Sequence, residues 1–243
     1  GLTEIVIPNS VTSIGDNAFN GCRGVTEIVI PDGVTSMGDE VFLYCDGLVS
    51  VVIGNGVTSL GEGTFSSCSR LASITIGDSV RDITRSAFGG DYPDLTEIIV
   101  TDGNTTYHSS GNCLIETTSK KLIFGCSNST IPTDGSVTSI GEKAFYGSSG
   151  LTEITIPDSV TSIGNDAFRV CSSLTEITIP DSVTSIGSAA FMYCFSLTSV
   201  TIPDGVTTIE NNTFNSCTSL ATVTIPSSVT SIGYNAFWGC SSL

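Results

Sequence analysis

The residues that could carry chemistry are a single histidine, nine cysteines, and 24 acidic side chains set against 8 basic ones. His108 stands in the run YHSSGN. A Ser-His-Asp triad would need it beside an activated serine and a buried carboxylate, and no nucleophile motif such as G-x-S-x-G accompanies it. It reads as a solvated loop histidine. No G-x-x-x-x-G-K-[ST] and no strand-linked G-x-G-x-x-G occurs, so no phosphate cradle is implied. The chain is expected to be neither an enzyme nor the holder of a cofactor.

The cysteines and carboxylates recur at fixed intervals, which points to the elements that carry them. LTEITIPDSVTSIG runs from Leu151 to Gly164 and again from Leu174 to Gly187. The rows open at Leu2, Val25, Leu48, Leu71, Leu95, Leu151, Leu174, Leu197, Leu220 and Leu243, in steps of 23 except one of 24 and one of 56. Such a period marks a solenoid, in which one short coil cannot bury its own apolar face and neighbours stack to do it. In the row opening at Leu151 the apolar positions are Leu151, Ile154, Ile156, Val160, Ile163, Ala167, Phe168 and Cys171. Ile154 and Ile156 alternate with polar Glu153 and Thr155, the period of a half-buried strand. A proline that lacks an N–H follows in most rows (Pro8, Pro31, Pro157, Pro180, Pro203, Pro226) and ends the pairing. A short extended piece, Val160 to Ile163, then leads to a turn of tight helix around the Ala-Phe pair.

The pattern L-x-x-I-x-I-P-x-x-V-x-x-I-G-x-x-A-F-x-x-C resembles the BspA-like leucine-rich repeats of bacterial and protozoan surface proteins, over nearly the whole chain. Nine rows carry its phenylalanine: Phe19, Phe42, Phe65, Phe88, Phe145, Phe168, Phe191, Phe214 and Phe237. The segment from Thr101 to Ile131, with Asn104, Tyr107 and the apolar runs Cys113–Ile115 and Leu122–Phe124, looks like the extended repeat found in that family. The resemblance implies one α/β-type solenoid over 1–243, a right-handed coil with a parallel sheet on one side and short turns, 3₁₀ or helical pieces elsewhere. Its regular repeats would fill 1–100 and 137–243, with an irregular repeat at 101–136. It also implies a secreted or cell-surface location and adhesion to a host, matrix or neighbouring-cell protein. The chain begins at Gly1, without methionine and in mid-pattern, and reads as a piece of a longer protein.

Departures concentrate from about Arg81 to Ser136. The fourth row has Gly77 for proline, Arg81 and Arg85 at polar positions, and Asp91 where cysteine is expected. This is either a splice between two regular blocks or a break that presents a ligand surface.

Composition narrows the partners. With 40% hydrophobic residues the chain can bury a core, and its net charge of −16 repels nucleic acid and anionic membranes. No apolar run approaches the roughly 20 residues of a membrane helix, and no signal-peptide pattern opens the chain.

Cys22, Cys45, Cys68, Cys171, Cys194, Cys217 and Cys240 share the twenty-first position of their rows; Cys113 and Cys126 lie elsewhere, flanking an expected hairpin. Coils rising about 4.8 Å each would bring column thiols within disulfide reach. Parallel side chains, however, do not meet the right-angled disulfide dihedral, so buried reduced thiols are expected. One column offers no tetrahedral set for zinc, and no metal site is assigned. A Cys113–Cys126 bond remains open, as does weak calcium binding on the exposed columns Glu4, Glu27, Glu97, Glu153, Glu176 and Asp32, Asp78, Asp158, Asp181, Asp204.

Candidate partner-binding residues are the side chains that the frame leaves free: Tyr44, Tyr146, Arg169, Met192, Tyr193, Phe195 and Trp238, types enriched at interface hot spots. Two rivals stand beside adhesion. Uncapped coils could associate end to end into a filament or stalk, and the threonine column Thr155, Thr178, Thr201, Thr224 could order ice, although Glu153 interrupts the Thr-x-Thr pairing such arrays require.

Overall fold

The computed structural model describes residues 3–84 and 86–243. Leu2, a row opener, and Arg85, one of the departures, lie outside the described residues. The chain divides into two compact units, Gly1–Thr118 and Ser119–Leu243.

In the first unit, strands Glu27–Ile30, Ser50–Ile53, Ser73–Ile76 and Glu97–Val100 form a parallel sheet. Its register aligns equivalent row positions: Glu27 with Ser50, Ser50 with Ser73, Ser73 with Glu97. Alternate residues point in, so Ile28 and Ile30 are buried while Val29 faces out. The strand Glu27–Ile30 ends just before Pro31, which lacks an N–H, and its neighbours end at the same position before Gly54, Gly77 and Thr101. Two-residue strands form further parallel ladders, Ser13–Ile14 with Ser36–Met37 and Ser59–Leu60 with Asp82–Ile83. The irregular stretch holds an antiparallel hairpin, Tyr107–Ser110 against Cys113–Glu116. Its turn residues Gly111 and Asn112 both have positive φ, 58° and 56°, which matches the twist of a two-residue hairpin.

In the second unit, Lys121–Phe124, Ser139–Ile140, Ser162–Ile163 and Ser185–Ile186 run parallel in sequence order. Ser199–Thr201 pairs with Thr222–Thr224, and Thr208–Ile209 with Ser231–Ile232. All eight apolar positions read from the Leu151 row are buried.

The expected turn of helix does not form: the described residues contain strands and turns but no α-helix. Backbone conformation explains this. The sixteenth and twentieth residues of a coil are left-handed, for example Asp166 (φ 54°) and Val170 (φ 64°), then Ala189 (φ 55°) and Tyr193 (φ 63°). No right-handed helix continues through them. The N–H groups alternate in consequence. Those of Arg169 and Cys171 reach back three residues, to Asp166 and Phe168, while those of Asp166, Phe168 and Val170 cross to Ser188, Ala190 and Met192 of the next coil. A helix would keep these bonds inside one coil; this backbone spends half of them on stacking.

A candidate interaction surface

The thiol column is a hydrogen-bond ladder. In six of the seven column cysteines Sγ donates to the carbonyl of the phenylalanine one coil earlier: Cys45 to Phe19 at 3.1 Å, Cys68 to Phe42, Cys171 to Phe145 and Cys194 to Phe168 at 3.2 Å, and Cys217 to Phe191 and Cys240 to Phe214 at 3.1 Å. All nine cysteines, Cys113 and Cys126 included, are reduced. Burial pushes Cys45 up to about 11 and Cys217 up to about 12, and raises Cys68 and Cys194 well above the ordinary range. Such thiols stay protonated and are poor nucleophiles. Cys22 and Cys240, in outermost coils, are only half-buried, which corrects the expectation that all seven are inaccessible.

The phenylalanines stack behind them. Phe145–Phe168, Phe168–Phe191 and Phe191–Phe214 have centroids 5.1, 5.4 and 5.4 Å apart and rings within 6° of parallel. Phe19, Phe42, Phe65 and Phe88 form the equivalent column in the first unit, and Phe237 follows Phe214 at 5.5 Å.

Polar side chains elsewhere are largely spent on the frame. Asp16 Oδ1 accepts the Asp39 N–H and Asp39 Oδ1 that of Glu62; Asp32 accepts from Asn55 in the same way, and Asn55 from Asp78. Threonine hydroxyls at Thr161 and Thr184 donate to Thr138 and Thr161 carbonyls of the preceding coils. His108 Nδ1 lies 3.0 Å from Thr117 Oγ1 on the hairpin. Among the described residues, no group of three His, Cys, Asp or Glu side chains is placed to hold a metal.

One group of the candidate side chains comes together in the second unit. Arg169 lies between two rings, its guanidinium carbon 5.8 Å from the Tyr146 centroid and 5.7 Å from that of Tyr193. Arg169 Nη1 donates to Asp166 Oδ1 at 3.1 Å, and its Nε is buried without a hydrogen-bond partner. Tyr193 in turn meets Phe195 at 5.8 Å, tilted by 45°. Tyr146, Arg169 and Tyr193 are half-buried, and Phe195 is 43% exposed. Two cation–π contacts and an ion pair hold Arg169 in one place, so the patch is ordered before anything binds.

Comparison with known proteins places this architecture. Residues 1–113 and 116–243 match the family described as BspA type Leucine rich repeat region, in 6 copies. The chain belongs to the BspA-type leucine-rich repeat family. A leucine-rich cell surface protein of Faecalibacterium prausnitzii is 29% identical, with TM-score 0.67 over 97% of this chain and 76% of its own. A leucine-rich repeat protein of Bacteroides ovatus is 30% identical, with TM-score 0.60 over 98% of this chain and 70% of its own. The pneumococcal vaccine antigen PcpA, 18% identical, shares the fold at TM-score 0.67 over 93% of this chain and 66% of its own. No curated protein is significantly similar to the chain.

Within this BspA-type frame the other candidates are dispersed. Met192 sits in the same coil as Tyr193, half-buried. Trp238, 63% exposed, is two coils on, with Asn215 occupying the column between. Tyr44, 51% exposed, belongs to the first unit. Sequence reading chose Arg169 and both tyrosines one by one. It missed their contact, because Arg169 and Tyr193 occupy different positions of their rows and meet through a 24-residue offset.

Proposed function

We propose that this BspA-type chain is a non-enzymatic protein-binding module of a secreted or cell-surface protein, adhering to a host, matrix or neighbouring-cell protein. The observation that carries the reading is the Tyr146–Arg169–Tyr193–Phe195 patch. It is a contiguous aromatic and arginine surface, the composition of interface hot spots. The surface location rests on the leucine-rich cell surface protein of Faecalibacterium prausnitzii, similar over 97% of this chain.

The test is capture from extracellular-matrix and cell-surface extracts by the wild type and by the variant Y146S/Y193S/F195S. Specific capture by the wild type, lost in the variant while the thermal melt is retained, supports the reading. Equal capture by both moves binding off this patch, and no capture together with filaments of the purified protein overturns it in favour of a structural stalk.

A further inference from the structure

The outward face of the sheet in the first unit carries a second surface of different chemistry. The fifth residues of successive coils there are Val6, Val29, Val52, Thr75 and Ile99, and the register pairs Val29 with Val52, Val52 with Thr75, and Thr75 with Ile99. Val6, Val29, Val52 and Ile99 are 78, 59, 37 and 39% exposed. The fold does not demand aliphatic side chains at this position. In the second unit the same position is Thr155, Thr178, Thr201 and Thr224, with Thr155 bridged to Thr178 and Thr201 paired with Thr224 in the same parallel register. The aliphatic stripe, interrupted at Thr75, is therefore a choice of the first unit, and at Val29, Val52 and Ile99 it exposes apolar area that threonine would cover with hydroxyl.

Acidic residues border the stripe on both sides. Two residues earlier in the same strands stand Glu27 and Glu97, both exposed; beyond the strand ends stand exposed Asp32 and Asp102. A partner that buries the stripe must bring an apolar ridge with cationic flanks, because an uncharged or acidic rim would leave these carboxylates desolvated or repelled. Spacing selects the element. Coils rise about 4.8 Å, and a helix turn about 5.4 Å; over three intervals the two differ by roughly 2 Å. An α-helix laid across the strands thus offers nearly one side chain per coil, whereas an extended chain repeats on one face every ~6.7 Å and loses register at once.

We propose that the Val29–Val52–Ile99 face binds an amphipathic α-helix whose apolar i, i+4, i+7, i+11 stripe is flanked on both sides by Lys or Arg. This surface is distinct from the aromatic patch of the second unit and uses none of its residues.

Three labelled 18-residue peptides test it by fluorescence anisotropy: a helix former with a Leu stripe and Lys flanks, the same stripe with Glu flanks, and the Lys flanks with Ser in the stripe. They are titrated against the wild-type chain and against V29T/V52T/I99T, which imports the solution of the second unit. The variant keeps the same charge and is expected to retain the wild-type circular dichroism at the assay temperature. The Lys-flanked Leu peptide should bind the wild type at least tenfold more tightly than either other peptide does, and at least tenfold more tightly than it binds the variant. The proposal is overturned if the variant binds equally, if the Ser-stripe peptide binds equally, or if the Lys-flanked peptide does not bind. Self-association of the wild type that the variant abolishes, seen by sedimentation without peptide, would overturn it by making a second copy the occupant.

Discussion

The Tyr92 hydroxyl donates to the Phe65 carbonyl at 2.8 Å, taking the place held one coil earlier by the Cys68 thiol, which donates to the Phe42 carbonyl at 3.2 Å. Tyr92 stands three residues before Leu95, as Cys68 stands three before Leu71. Counted from the following leucine, it is the residue of the thiol column, and the row without a column cysteine has a longer donor in its place.

Replacing Tyr92 by Phe keeps the buried ring and removes that donor. The expected loss is about 1 kcal/mol, that of one neutral hydrogen bond. Tyr92→Ala, which also empties the site, is expected to cost about 3–5 kcal/mol. Urea unfolding measures both, and a Tyr92→Phe variant as stable as the wild type would show that the bond adds nothing.

The thiol ladder makes stability fall in alkali. Burial raises Cys45 from 9.0 to about 11 and Cys217 from 9.0 to about 12, so the folded chain keeps protons that the unfolded chain releases. The stabilisation is complete below pH 9 and is lost as pH climbs through 11 to 12. Melting temperatures between pH 8 and 11 should fall less steeply in Cys45→Ala/Cys217→Ala than in the wild type; parallel slopes refute the linkage. With a thiol reagent at neutral pH, Cys22 and Cys240 should react first and the buried cysteines only after denaturation.

Phe168 lies between Phe145 and Phe191 with no exposed surface, whereas Phe195 is 43% exposed. Phe168→Ala is expected to cost about 3–5 kcal/mol, and Phe195→Ala within about 0.5 kcal/mol of neutral. Equal losses by denaturant titration would contradict the inward and outward faces described above.

These columns were legible in the sequence because every coil solves the same burial problem with the same spacing. Ile154, Ile156, Phe168 and Cys171 declare themselves by recurrence. The hydrogen-bond role of the thiols was hidden, since a buried cysteine used as a small hydrophobe and one used as a donor look alike. Left-handed residues were hidden too. Asn17 is a residue type that tolerates the conformation, but Glu40, Tyr44 and Val170 give no such sign, and the Ala-Phe pair therefore suggested a helix. Contacts between unlike row positions, such as Arg169 with Tyr193, leave no mark in a column-by-column reading.

Val170 holds the least favourable of these conformations. A β-branched side chain at φ 64° is strained, and the equivalent residue one coil earlier is Gly147, at φ 79°. Relief of the left-handed strain is worth about 1–2 kcal/mol, and the added freedom of glycine in the unfolded chain takes back about 0.5–1 kcal/mol. Val170→Gly should therefore stabilise the protein by about 0.5–1 kcal/mol, the difference of those two effects. Its N–H still donates to the Met192 carbonyl, so the inter-coil bond is kept. The reciprocal change, Gly147→Val, should destabilise. Thermal melts of the pair decide the matter: a loss of stability in Val170→Gly would mean that packing of the valine side chain outweighs the strain of its backbone.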